Sequence, residues 1–222
     1  MELHAKFTLF SEGTRGSLSK FLIDNFNLSE GKDFQKYAIG LKEVWEIKEE
    51  NFSEGLVEHS MGWPLSDGTN GGSFLYHFDK NLVSIGYVIH LNYTNPYASP
   101  FDEFQQFKTH PSVKKTLIGG KRLSYGARAI TTGGYQSVPK LNFPGGALIG
   151  CSAGFLNYPK IKGTHNAMES GMLAAEAIIE KKLSEDENNN LENYQLKYEK
   201  SRIFKELKKV RNVKPYPVSY TH

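Results

Sequence analysis

Glycine-rich turns are the first features of this 222-residue sequence that could do chemistry. Gly13-Thr14-Arg15-Gly16-Ser17 follows an alternating apolar stretch, residues 3–9, that predicts a strand, and it precedes apolar residues at helical spacing. We expect Ser17 to cap that helix. A strand, a glycine turn and a helix start point backbone N–H groups at an anion, although a simple tight turn has the same pattern.

Two further turns follow in the C-terminal half. The apolar segment 147–150 predicts a strand that leads into Cys151-Ser152-Ala153-Gly154, and Gly163-Thr164 stands where a long helix begins. A helix N-terminus offers N–H groups and a favourable dipole to a negative ligand, although Thr164 could equally be a plain N-cap. The spacing predicts that this helix buries one stripe, formed by Met168, Met172, Ala175 and Ile179.

Ligands for a metal or a cluster are scarce. Cys151 is the only cysteine, which excludes a disulfide within the chain and an iron–sulfur cluster held by its own thiolates. No pair of histidines has the spacing of metal ligands, so the sequence predicts no metal site. The histidines considered are His59, His77, His90 and His165.

The charge is uneven although the net charge is only +3. Eight basic residues lie between Lys197 and Lys214, against Glu199 and Glu206. Such a run is usually a solvated helix face, and it could also contact anionic lipid or an acidic partner. No motif that reads DNA or RNA accompanies it, so we expect no nucleic-acid partner. The composition is globular, and no apolar run approaches the ~20 residues that span a bilayer.

The middle of the chain has the texture of a sheet. Residues 37–47, 74–78 and 83–93 alternate or are continuously apolar, which predicts a twisted, largely antiparallel sheet. A short helix should begin at Ser99-Pro100 with three phenylalanines on one side, Phe101, Phe104 and Phe107.

Three blocks of residues resemble one family, the electron-transfer flavoprotein–ubiquinone oxidoreductases. They are Gly71-Gly72-Ser73-Phe74-Leu75-Tyr76-His77, then Gly119-Gly120-Lys121-Arg122 with Tyr125-Gly126-Ala127-Arg128, and the segment 150–171. The similarity extends over nearly the whole chain, as far as Val210-Arg211-Asn212. This family combines an FAD domain, an inserted quinone domain and a ferredoxin-like domain with a [4Fe–4S] cluster. Its enzymes pass electrons from reduced electron-transfer flavoprotein to ubiquinone at a membrane surface.

Two hallmarks of the family are absent, the Gly-x-Gly-x-x-Gly fingerprint and the four clustered cysteines. The resemblance therefore implies a partial chain of α+β class. It would be part of a Rossmann-like, glutathione-reductase-type FAD-binding domain with an inserted, mostly antiparallel quinone-binding domain. The expected boundaries are 1–33 for an FAD-domain segment, 34–116 for the quinone-binding domain, 117–183 for the flavin end of the FAD domain, and 184–222 for a linker and basic helical tail.

The resemblance also implies site residues. The pair Gly71 and Gly72 would contact the quinone, since peptide groups without a Cβ can approach a ring oxygen; a hairpin turn is the alternative. Valine at Gly72 should then block the quinone and remove access to an unusual φ. Residues near the FAD would be Arg15, Gly16, Ser152, Gly163 and Thr164, with a structural salt bridge as the alternative for Arg15. Cys151 is interpreted as buried packing and not as a nucleophile.

The predicted function is that of an electron-transferring-flavoprotein dehydrogenase fragment. Its partners would be ubiquinone, electron-transfer flavoprotein and a peripheral membrane surface, on the matrix face of the mitochondrial inner membrane or the cytoplasmic face of a bacterial one. FAD would be its cofactor, with an incomplete site, and the [4Fe–4S] cluster would belong to the full-length family alone. Two alternatives are a geranylgeranyl-reductase-like flavoprotein and a non-catalytic quinone- or protein-binding module.

Overall fold

The computed structural model describes residues 2–66, 68–184 and 188–213. Within these residues the elements are β1 (Thr8–Phe10), α1 (Ser17–Asn25), β2 (Tyr37–Glu46), β3 (Val57–Met61), β4 (Gly71–Phe78), β5 (Leu82–His90), α2 (Pro100–Phe107), α3 (Pro111–Leu117), β6 (Lys121–Thr131), β7 (Asn142–Phe143), β8 (Gly146–Leu148), α4 (Thr164–Leu183), α5 (Glu192–Lys200) and α6 (Arg202–Lys209). None of the described helices is long and apolar enough to cross a membrane.

The chain folds into two compact units, one from residues 36–130 and one from residues 1–35 with 131–222. We call them the sheet unit and the helical unit. The sheet unit extends to residue 130, beyond the predicted boundary at 116, because β6 lies beside β2 at the edge of the sheet. Leu123, Tyr125, Ala127 and Ala129 alternate along β6, but most residues of this strand are exposed whichever way they point, so the alternation does not correspond to a buried face.

The sheet unit contains a five-stranded sheet in the order β3-β4-β5-β2-β6. The pairs β3/β4, β4/β5 and β2/β5 are antiparallel, which confirms the predicted character of this sheet. Strand β5 lies at its centre and is buried from Val83 to His90, so it needs apolar residues on both faces.

Helix α2 begins at Pro100, as the sequence predicts, and it covers part of this sheet. The hydroxyl oxygen of Ser99 accepts a hydrogen bond from the Asp102 N–H at 3.3 Å, which caps the helix. Phe104 and Phe107 are buried among the core residues of the sheet unit, whereas Phe101 is exposed. The predicted three-phenylalanine face is therefore correct at two positions, because the first turn extends past the edge of the packed surface.

A buried carboxylate joins α2 to the sheet. Glu43 is 3% exposed and receives hydrogen bonds from Lys108 Nζ at 2.9 and 3.0 Å, from Trp45 Nε1 at 2.7 Å and from Arg122 at 3.2 Å. Burial alone would raise the pKa of Glu43, but the hydrogen bonds from Lys108 and Trp45 and the Lys108 charge outweigh it and hold the pKa below its ordinary value. The buried Glu43 carboxylate is thus both paired with a cation and hydrogen-bonded, as a buried charge requires.

The helical unit is built on a small three-stranded sheet in the order β1-β8-β7. Strand β1 is parallel to β8, with Thr8 opposite Gly146 and Phe10 opposite Leu148, while β7 is antiparallel to β8. The first strand begins at Thr8 and not near Leu3 as predicted, because its partner is only three residues long.

Helix α4 buries a different face from the one that the sequence predicts. Met168, Met172, Ala175 and Ile179 are all exposed in the described structure. The buried residues are Asn166, Ser170, Ala174 and Ala177, which are small or polar. Small side chains let the helix pack closely on the Gly150–Ser152 turn and on α5, and that need overrides the pattern of larger apolar residues.

The basic tail forms α5 and α6, whose Tyr194, Tyr198, Ile203 and Leu207 are buried. Some of its charges are paired: Lys197 lies 2.8 Å from Glu180, and Arg202 lies 3.0 Å from Glu169. Lys214, the last basic residue of this run, lies outside the described residues.

We expect Glu43→Gln to lower the free energy of unfolding by about 3 kcal/mol, because it leaves the mostly buried Lys108 ammonium without its counter-charge. Glu46→Gln on the same strand is exposed and should change stability by no more than about 0.5 kcal/mol. Urea unfolding followed by circular dichroism measures both. Equal effects of the two substitutions would contradict the structural importance of the Glu43 cluster.

The buried His77 should make stability depend on pH. Its Nδ1 accepts a hydrogen bond from the Ser53 N–H at 3.1 Å, and burial lowers the pKa of the ring, an effect that the charge of Glu58 opposes. Below a pH of about 6.5 the unfolded chain binds a proton at His77 that the folded chain resists. The free energy of unfolding should therefore fall as the pH is lowered through this range, by at most about 1.4 kcal/mol per pH unit for this one group.

His77→Gln should flatten that dependence, while His59→Gln at an exposed position should preserve it. Denaturant titrations between pH 5 and 8 compare the three proteins. An unchanged slope in the His77 variant would show that another group is responsible.

Candidate functional site

The carboxyl ends of β1 and β8 lie side by side in the helical unit, because the two strands are parallel neighbours. The loop with Gly13, Arg15 and Gly16 follows β1, and a 3-10 turn, Gly150–Ser152, follows β8. The Ser152 hydroxyl donates a hydrogen bond to the Gly13 carbonyl at 3.3 Å and joins the two loops. Crevices at the carboxyl ends of parallel strands are where open α/β sheets bind ligands.

The start of α1 is already occupied by a side chain of this chain. The Glu12 carboxylate accepts hydrogen bonds from Ser19 N–H at 2.6 Å, Ser19 Oγ at 2.7 Å and Leu18 N–H at 3.3 Å. Those hydrogen bonds, the one from the Ser19 hydroxyl first, hold the pKa of Glu12 below its ordinary value. The N-cap residue is Gly16 and not Ser17, and the predicted N–H groups for an external anion are engaged by Glu12.

Gly16 is a glycine because Glu12 folds over it. A Cβ at this position would collide with the Glu12 side chain. Glu12 is therefore the residue of this loop that sequence reasoning missed, and the usable signal was an acidic side chain a few residues before a helix start.

The start of α4 is different, since no side chain caps it. Gly163 is the N-cap residue, and its carbonyl accepts the Ala167 N–H at 2.9 Å. Thr164 is the first helical residue and is exposed, so its interpretation as a plain N-cap is wrong. A 20-residue helix thus begins without a capping side chain, so its dipole and its first-turn N–H groups lack that partner.

A hydrogen bond ties the Gly150–Ser152 turn to helix α4 near its N-terminus. The Gly150 N–H donates to Ser170 Oγ at 2.9 Å, and Gly150 has φ +58°, a conformation that favours glycine. Cys151 in this turn is half-buried, which corrects the prediction of a buried residue. The structure therefore brings Gly16, Ser152, Gly163 and Thr164 onto neighbouring loops of one unit.

Polar anchors hold the first turn of α4 in place. Glu206 of α6 accepts a hydrogen bond from Asn157 Nδ2 at 2.6 Å and lies 3.0 Å from His165 Nε2. Asn166 Nδ2 donates to the Phe155 carbonyl at 2.9 Å. Burial would raise the pKa of Glu206, but the hydrogen bonds from Asn157 and His165 outweigh it and lower the pKa.

The second candidate site is at the start of β4 in the sheet unit. Gly71 lies opposite Ile89, and Gly72 lies between Val88 of β5 and Met61 of β3. The pair is therefore part of the strand, and its interpretation as a hairpin turn is wrong. Neither glycine has a positive φ, so the expected unusual backbone conformation is also wrong.

Close packing explains why both positions are glycine. A Cβ at Gly72 would lie 2.7 Å from the Ser60 carbonyl oxygen. At Gly71 it would lie 2.5 Å from the Val88 carbonyl oxygen and would collide with Leu65. Valine at Gly72 would consequently distort the sheet whether or not a ligand binds there.

The two glycines differ in the direction of their peptide groups. The His90 N–H donates to the Asn70 carbonyl at 2.9 Å, and hydrogen-bonded pairs alternate along an antiparallel ladder. The peptide N–H and C=O groups of Gly72 therefore point towards Val88. Those of Gly71 point to the other side, where β3 ends. The Gly71 carbonyl accepts a long hydrogen bond of 3.4 Å from the Gly62 N–H, which leaves it available to a further donor.

The described residues contain no group of three or more His, Cys, Asp or Glu side chains that could hold a metal ion.

Similar structures have the same fold. A geranylgeranyl bacteriochlorophyll reductase-like protein from Thermoplasma acidophilum superposes with a TM-score of 0.63 at 16% identity, over 95% of this chain and 47% of its own. A variant of a flavin-dependent brominase gives a TM-score of 0.55 at 16% identity, over 98% of this chain and 57% of its own. These likenesses confirm the predicted fold class.

Sequence relatives are much closer. Residues 37–130 match a family model described as "ETF-QO, ubiquinone-binding". The chain is 53% identical to the mitochondrial electron transfer flavoprotein-ubiquinone oxidoreductase of Rattus norvegicus and 52% identical to that of Caenorhabditis elegans. Each alignment covers 97% of this chain, which spans 36% and 37% of those two relatives. The chain therefore belongs to the electron transfer flavoprotein–ubiquinone oxidoreductase family.

Proposed function

We propose that this chain supplies the ubiquinone-binding part of an oxidoreductase that transfers electrons from reduced electron-transfer flavoprotein to ubiquinone. The observation that carries the proposal is the match of residues 37–130 to a ubiquinone-binding family, over nearly the same residues as the sheet unit. The reaction adds two electrons and two protons to a quinone and yields a quinol.

The quinone contact is centred on Gly71. A quinol hydroxyl needs an acceptor, and the Gly71 carbonyl has a lone pair that its long hydrogen bond to Gly62 uses poorly. Neighbouring protein atoms fill the space that a Cβ would need at Gly71 and Gly72, so the ring would contact the Gly71 carbonyl and not the place of a missing side chain. This refines the predicted pair, because the peptide groups of Gly72 are directed into the ladder with Val88.

The helical unit fits the flavin end of an FAD site. The uncapped start of α4, at Gly163 and Thr164, offers N–H groups to the pyrimidine edge of a flavin, and Ser152 lies on the neighbouring turn. Arg15 and Gly16 belong to the loop that Ser152 contacts through Gly13. FAD, when bound, would supply acceptance of electrons from the partner flavoprotein.

A [4Fe–4S] cluster does not fit this chain, because Cys151 is its only cysteine and such a cluster needs four ligands. We therefore assign no step of the reaction to a cluster held by these residues.

The proposed location is the matrix face of the mitochondrial inner membrane, since the relatives are named mitochondrial. Large exposed apolar side chains surround the Gly71 end of the sheet unit and support contact with a membrane surface. They are Met61, Trp63, Tyr97 and Phe101. The sequence relatives favour this function over a geranylgeranyl-reductase-like one, for which the fold likeness is the only support.

Gly71→Ala should weaken binding of a short-chain ubiquinone by about tenfold or more, an energy of about 1.4 kcal/mol, because the methyl group displaces Leu65 and the backbone beside the ring site. Quenching of tryptophan fluorescence by ubiquinone-1 in this chain measures the dissociation constant. Circular dichroism at the same temperature verifies that the variant is folded.

Gly86→Ala is the matched control. Gly86 lies opposite Phe74 in the same sheet, and a Cβ there would collide with the Phe74 ring, so the sheet is strained without a change at the Gly71 end. Equal loss of affinity in the two variants would place the quinone elsewhere and overturn the proposed contact.

We expect this chain by itself to bind FAD weakly, because its sequence contains no Gly-x-Gly-x-x-Gly turn to hold the pyrophosphate. After mixing with FAD and gel filtration, the protein peak should lack the flavin absorbance near 450 nm, about where free flavins absorb. A polypeptide of the relatives' full length that includes this chain is the positive control. Stoichiometric FAD on the 222-residue chain would show that the helical unit holds the whole cofactor.

A further inference from the structure

A small cavity lies in the sheet unit, next to the β4 glycines. Its volume is about 20 Å³, enough for one water molecule. Its wall includes Ile89, which pairs with Gly71, and Leu65, whose side chain packs on the Gly71 backbone. Five polar side chains share this wall, from Ser66, Thr69, Tyr93, Asn95 and Glu103. A cavity with this lining meets the requirement that a buried water have two to four polar partners.

Glu103 is the carboxylate among the described residues of this wall. It lies in the first turn of α2, and its N–H donates to the Ser99 carbonyl at 3.0 Å, so its place on the helix is well defined. Its Oε2 atom is buried, although the residue as a whole is partly exposed. One side of the carboxyl group therefore reaches the interior while the residue remains near solvent, as proton transfer between the two would require.

Tyr87 lies near Glu103 and is linked to the Gly71 backbone through Gly62. The Tyr87 hydroxyl donates to the Gly62 carbonyl at 2.8 Å, and the Gly62 N–H donates to the Gly71 carbonyl at 3.4 Å. Burial first, and the nearby charge of Glu103 in addition, raise the pKa of Tyr87 to about 12. Tyr87 therefore stays protonated at neutral pH, and its hydroxyl holds the Gly62 carbonyl in place.

We propose that Glu103 delivers a proton to the quinone bound at Gly71, through a water molecule in this cavity. The inference rests on the proposed function. A quinone must gain two protons with its two electrons, and no other carboxyl group among the described residues lines the cavity beside that site. Among the described residues, Tyr93 shares the cavity wall with Glu103 and Tyr87 lies close enough to respond to its charge, and both are phenols.

The step balances as follows. Two electrons come from the reduced flavoprotein partner and enter the quinone ring. The Glu103 carboxylate first takes a proton from solvent. Its new O–H bond then breaks as a water O–H bond forms, and that water gives one of its other protons to a quinone oxygen, which leaves Glu103 as the carboxylate again. The second quinone oxygen takes its proton by a separate route.

The test uses Glu103→Gln in an enzyme of the relatives' full length that contains this chain. Quinone reduction should slow by about 100-fold, a usual contribution of one acid–base group. The rate should also lose the pH dependence that the unsubstituted enzyme shows through Glu103, and Glu103→Asp should recover part of both. Affinity for ubiquinone-1, measured by fluorescence with the 222-residue chain, should remain within about threefold, half of a decade on the affinity scale.

Asp102→Asn is the matched control, because Asp102 is the exposed acidic neighbour in the same turn of α2. It should leave both the rate and its pH profile unchanged. In Glu103→Ala, formate should restore part of the rate, since a small acid can occupy the space of the missing carboxyl group.

A Glu103→Gln enzyme with the original rate and pH profile would overturn the inference. So would a loss of quinone affinity with an unchanged pH profile, which would make Glu103 a binding residue. Failure of the unsubstituted chain to bind ubiquinone-1 would instead refute the proposed function, so the two outcomes are distinguishable.

Discussion

The pairing of β4 with β5 is the constraint on which the rest of the sheet unit depends. Strand β5 is buried on both faces, and its register places Ile89 opposite Gly71 and Val88 opposite Gly72. A shift by one residue would move every β4 side chain to the opposite face of the sheet. The glycines, the cavity and the end of β3 thus hold their positions because one buried strand permits a single register.

Close approach of backbones, and not flexibility, accounts for the important glycines of this unit. Gly71 and Gly72 have ordinary extended conformations, and the space that a Cβ would need is filled by carbonyl groups of Val88 and Ser60. A ligand contact at the same place adds to this packing requirement and does not replace it. A substitution there is informative about a ligand only when it is compared with an equally strained glycine such as Gly86.

The two helix starts in the helical unit differ in how their backbone N–H groups are satisfied. At α1 the N–H groups are satisfied by Glu12, whereas α4 has no side-chain cap and is held from behind by Asn166 and by the anchors on Glu206. Orphan N–H groups at a helix start are satisfied by a side chain, by water or by a ligand. The contrast between the two helices supports the proposal that a flavin binds at the start of α4 and not at the start of α1.

Sequence alone determined the family, the fold class, the strands β2, β4 and β5, and the Ser99 cap of α2, because periodicity and capping are local and the motifs occur in order. The tertiary structure decided the rest. The buried face of α4 depends on how closely it packs on the Gly150–Ser152 turn and α5. The place of β6 depends on pairing with β2, and Gly16 depends on Glu12 folding over it. The cavity with Glu103 is built from separate parts of the chain: Leu65, Ser66 and Thr69 line one side, and residues between Ile89 and Glu103 line the other. Only folding brings these segments together, so no local pattern could have revealed the cavity.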